Sequence, residues 1–70
     1  MRNPDRLDAF YEEWREIHKS AFPDWRFGQL MYNFIYWLGE SKGIDCFFPE
    51  EARMLELFRE YANGVKYDTF

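Results

Sequence analysis

The sequence predicts an all-α fold, a compact three-helix domain spanning 1–70 with the second helix central. Three observations carry this. Apolar residues recur at helical spacing in three separate stretches. Proline, glycine and acidic residues stand where helices start and stop. Nowhere do apolar and polar residues alternate between turn signals as in a strand.

The first helix, about 4–21, is announced by Asn3-Pro4-Asp5. Asparagine suits the N-cap, proline the first helical position, and an aspartate the electropositive first turn. Leu7, Phe10, Tyr11, Trp14, Ile17, His18 and Ala21 then form one apolar stripe. Asp8, Glu12, Arg15, Glu16 and Lys19 lie opposite. Phe22-Pro23 ends the helix, because a residue before proline is pushed out of the α region and proline has no N–H to donate.

A second helix is expected over about 25–42, with Asp24 as N-cap and Gly43 as a left-handed C-cap followed by the apolar Ile44. Placed on a wheel, Trp37, Leu30, Phe34, Phe27, Leu38, Met31 and Ile35 cover about 160°, a full core face. Gly28 and Gly39 follow, and their backbone cost in a helix suggests a close approach by a neighbour. Next come Tyr32, Trp25 and Tyr36, and only Arg26, Gln29, Asn33 and Glu40 make a polar strip. A helix so apolar belongs between two others.

The third helix, about 49–63, begins at Pro49 with Glu50 and Glu51 against the positive end of its dipole. Asp45 is left to cap a short turn before it. Ala52, Met54, Leu55, Leu57, Phe58, Tyr61 and Ala62 give the inner face, and Asn63-Gly64 reads as a terminator. Arg53, Glu56, Arg59 and Glu60 face water, with Glu56 in reach of Arg59 or Glu60. The tail, residues 65–70, has no usable period; it either frays or docks through Val65 and Phe70.

A chain of 70 residues has room for one core and thin stability. One cysteine and one histidine allow neither an internal disulfide nor a Cys/His zinc cluster, so packing must hold the fold. Aromatic residues at 23% supply it. The net charge of −4 lacks the footprint of a protein for nucleic acid or anionic lipid. No apolar run reaches the roughly 20 residues of a membrane span. The first ten residues lack the apolar stretch of a secretory signal, so a cytoplasmic location is expected.

Candidate chemistry is sparse. His18 lies on the apolar side of the first helix near its C-terminal end, where a packing role accounts for it. Cys46, in Gly43-Ile44-Asp45-Cys46-Phe47-Phe48, is flanked by apolar residues and reads as an inert thiol. Neither a phosphate loop nor a metal or dinucleotide motif is present, so no catalytic residue, metal or cofactor is assigned. What stands out is apolar surplus. Two neighbours cover about half of a helix, which leaves the edge formed by Trp25, Gln29, Tyr32 and Tyr36 as a candidate protein-binding site. The alternative is that these residues pack under the tail or the 43–48 loop.

The pairs Arg6-Leu7, Pro23-Asp24, Gln29-Leu30, Gly43-Ile44-Asp45 and Glu50-Glu51 recur in one order. In them the chain resembles small bacterial and phage-borne helical proteins of unknown function, with a more distant similarity to the YihD-like family. The resemblance implies a small helical fold and brings no activity, cofactor or catalytic residue. The expected function is a non-enzymatic interaction or regulatory module that binds a protein partner or a second copy of itself. The alternative is a helix-turn-helix protein for nucleic acid, which would need a basic stripe on one helix. No helix offers one.

Overall fold

A computed structural model describes residues 2–65. Three helices follow one another, α1 (Arg6–Ala21), α2 (Phe27–Trp37) and α3 (Glu51–Val65), and α2 runs on into one wide π-helical turn, Leu38–Lys42. No strand occurs among the described residues. The all-α, three-helix expectation holds. Of the tail, Val65 is the last residue of α3, and residues 66–70, with the question of what Phe70 does, lie outside the described residues.

Capping follows the sequence in part. The Asn3 side chain accepts a hydrogen bond from the Asp5 N–H (3.0 Å), so the chain turns at Asn3-Pro4-Asp5 before the regular helix begins at Arg6. Asp24 does not cap α2. Instead, the Trp25 N–H donates to the Phe22 carbonyl (3.1 Å), closing a β-turn with Pro23 in its second place, where proline's fixed φ fits. The N-cap falls to Arg26, whose N–H donates to Gln29 Oε1 at 2.8 Å. Gly43 has φ 65°, ψ 29° and its N–H donates to the Gly39 carbonyl, while the Ile44 N–H reaches back to Leu38. That is the left-handed C-cap expected of this glycine. Asn63-Gly64 does not end α3; the helix continues to Val65, because Gly64 keeps a negative φ.

The core is a stack of rings. Trp14 of α1 lies flat on Phe58 of α3, with centroids 3.7 Å apart and planes 11° from parallel. Phe34 of α2 meets Trp14 edge-on at 5.6 Å and Phe58 at 5.1 Å, so one side chain joins all three helices. Leu30, Leu38 and Leu57 seal this centre. Phe22, read from sequence only as a helix stop, is buried as well, against Trp25, Phe58 and Tyr61. Its φ of −135° turns the chain while its ring fills the core.

Charge pairs run between helices. Arg6 Nε donates to Glu51 at 2.9 Å, and Glu13 of α1 pairs with Arg59 of α3. The two contacts advance together along both helices, so α1 and α3 point the same way. Glu60 pairs with Lys42 at the end of α2, and Arg2 with Glu50 at 2.6 Å. The expected pairing of Glu56 within α3 is made instead with Arg53, at 3.2 Å.

Candidate functional site

Contact with both other helices is made by one stripe of α2 only. Leu30, Phe34 and Leu38 are buried, with Met31 and Trp37 half-covered beside them. This stripe spans about 80° to 120° of the wheel rather than the 160° read from the sequence. Two members of the expected core face are exposed, Phe27 at 65% and Ile35 at 40%. Ile35 lies outside this stripe, whereas Phe27 lies on its line but at the start of the helix, one turn before the buried Leu30.

The opposite side of α2 is open. Tyr32 is 72% exposed and Tyr36 60%, one turn apart. Gln29, exposed one turn earlier, holds its side-chain oxygen on the Arg26 N–H. Trp25 does not join them. It precedes the helix, half-buried against Phe22 with centroids 4.8 Å apart. Its carbonyl accepts from His18 Nε2 at 2.9 Å. That bond fixes the imidazole tautomer with its proton on Nε2, and it ties the end of α1 to the start of α2.

Gly28 and Gly39 depart from expectation. Among the described residues nothing stands within 4 Å of where a Cβ would be on either, so no neighbouring backbone among them calls for these glycines. Both lie on the exposed side, near Tyr32 and Ile35. The face thus consists of Gly28, Tyr32, Ile35, Tyr36 and Gly39, with Gln29 at its rim; Phe27 is exposed on the other side of the helix, about 140° or more from the tyrosines. From Phe27 to Gly39 the sequence holds no charged residue.

No protein-family model, curated protein or solved structure matches this chain. The remaining surface offers little convergent chemistry. One depression of about 430 Å³ lies between the C-terminal ends of α1 and α3, lined by Ile17, Ala21, Arg59 and Ala62 among others. A second, on α1, is lined by Leu7, Asp8, Tyr11, Glu12 and Arg15. Neither is lined by His18 or Cys46. Among the described residues no cluster of His, Cys, Asp or Glu is arranged to hold a metal ion, and no helix is long and apolar enough to cross a membrane.

Phe47 and Phe48, on the loop between α2 and α3, are also exposed, at 83% and 73%, as is Tyr11 on α1 at 61%. The Phe47 N–H donates to Asp45 Oδ1 (2.9 Å), so Asp45 caps this short turn as expected. The two phenylalanine rings pack on each other edge-to-face at 5.2 Å. In sequence Phe47 and Phe48 are separated from the second helix by a glycine, and no period marks them; composition alone, two phenylalanines before a proline, is the signal that singles them out.

Proposed function

We propose that this protein is a non-enzymatic interaction module of the cytoplasm that docks a protein partner on the outer face of α2. Tyr32 and Tyr36 are its anchors, Gln29 is a polar contact at the rim, and Trp25 holds the start of the helix in place. The observation that carries the reading is the open, uncharged strip of Gly28, Tyr32, Ile35, Tyr36 and Gly39 in a protein whose other helices face water with charged side chains. Large exposed rings with few charges nearby are the composition of an interface centre.

Nucleic acid gains no support as the partner. Arg2, Arg6, Arg15, Lys42, Arg53 and Arg59 all sit against carboxylates, so their charge is answered within the chain. Phosphate contacts would have to displace these carboxylates.

The test is site-specific photo-cross-linking in cells. A photoreactive residue in place of Tyr32 or Tyr36 is expected to give discrete protein adducts, and the same residue in place of Glu12 on the outer side of α1 is expected to give none. Equal or absent adducts at all three positions would sink the docking face.

A further inference from the structure

We propose that the occupant of this face is a second copy of the same chain, with the two α2 helices packed antiparallel about a two-fold axis between Asn33 and Phe34. This rests on the reading of the α2 outer face as a docking surface and names its partner.

The first support is the order of residues along the face. Gly28, Tyr32, Ile35 and Gly39 read small, large, large, small, and the spacing of 4, 3 and 4 is the same from either end. A two-fold interface needs this self-complementarity, because residue i meets residue j and j meets i. With the axis between residues 33 and 34, Gly28 faces Gly39 of the second copy and Tyr32 faces Ile35. The glycines, which nothing within 4 Å among the described residues explains, then let two backbones approach at both ends of the contact.

Charge is the second support. Arg26 and Glu40 bracket the strip, and neither forms an ion pair among the described residues. They stand 7.5 and 6.5 residues from the axis, so antiparallel pairing sets each Arg26 within one residue of level with Glu40 of the other copy. A parallel arrangement sets like charges together instead. The strip between them is neutral, so two chains of net charge −4 meet where repulsion is least.

Area is the third. At roughly 150–250 Å² for each aromatic side chain, the open parts of Tyr32, Tyr36 and the smaller Ile35 come to about 320 Å², and the glycines with Gln29 raise it to about 480 Å². Two copies together would bury about 950 Å², below stable interfaces and in the range of weak, transient ones. The dimer is therefore weak and concentration-dependent.

Sedimentation equilibrium on the purified chain, from about 1 μM to about 1 mM, tests this. A monomer–dimer equilibrium is expected. Tyr32→Glu is expected to abolish it without loss of helix by circular dichroism, since the ring is exposed. Arg26→Glu and Glu40→Arg should each raise the dissociation constant about tenfold, and the double reversal should restore it. Glu12→Arg, on α1, should leave it unchanged.

A monomer throughout the range, or a double reversal no better than either single one, overturns the antiparallel pairing. Cross-links from position 32 to other proteins in cells would then keep the docking face and discard only the second copy. Their absence as well would discard both.

Discussion

Phe27 and Phe34 are two turns apart on α2, about 20° from the same line, yet one ring is open and the other sealed. Periodicity assigns them the same role, since it reports angle and not depth along the helix. Phe34→Ala is expected to cost about 3–5 kcal/mol, most of what a domain this small can have, whereas Phe27→Ala should stay within about 0.5 kcal/mol. Urea unfolding followed by circular dichroism separates the two. His18 offers a second contrast. Its part in the fold is the bond to the Trp25 carbonyl, and His18→Ala should cost about 1–2 kcal/mol by leaving that oxygen less well paired. The sequence placed His18 on the covered side of α1; its partner seven residues on, across a proline turn, has no periodic signature.

Among the elements, α2 is where sequence and structure differ most. Its neighbours cover one stripe, so the two glycines lie in the open and carry the backbone cost without an internal contact. In a monomer at low concentration, Gly28→Ala and Gly39→Ala should each raise stability by about 0.5–1 kcal/mol, seen as a higher thermal midpoint. Gly43→Ala should lower it by about 1 kcal/mol or more, because φ 65° strains any residue with a Cβ. The left-handed cap was legible in Lys42-Gly43-Ile44, as was the end of α1 at Phe22-Pro23, whereas its start falls at Arg6 and not at Pro4. The start of α2 was not legible either. Pro23 in a β-turn delays it to Phe27, and both a turn and a helix accept Asp24 at that place.

At the scale of the whole molecule, stability comes from a small aromatic core bound by ion pairs between helices. Exposed pairs of this kind contribute little each. Glu51 is the one with a resolved titration signature. Its carboxyl is held below the ordinary carboxylate value, chiefly by the hydrogen bond from the Arg6 guanidinium. Folded, it gives up its proton more readily than unfolded, so its contribution is complete above the unfolded value and is lost as pH falls through the folded one. Glu51→Gln should therefore flatten the acid side of the stability profile, with little change in its shape near neutrality, as measured by thermal midpoints across pH. Arg6→Gln should do the same, since the hydrogen bond needs both partners.

Local physics sufficed for the class of fold. Proline and asparagine at one end of a segment, glycine at another, and apolar spacing of three and four residues specify helices from contacts within a few residues. The cover on each face does not follow from such contacts. That α1 and α3 run side by side in the same direction, that Phe22 turns inward and that α2 is packed along one stripe were settled by which rings fit together across the core. The candidate site is the remainder of that packing: Tyr32 and Tyr36 were visible as surplus in the sequence, while Ile35 and the open glycines became part of the face only once the neighbours had taken their places.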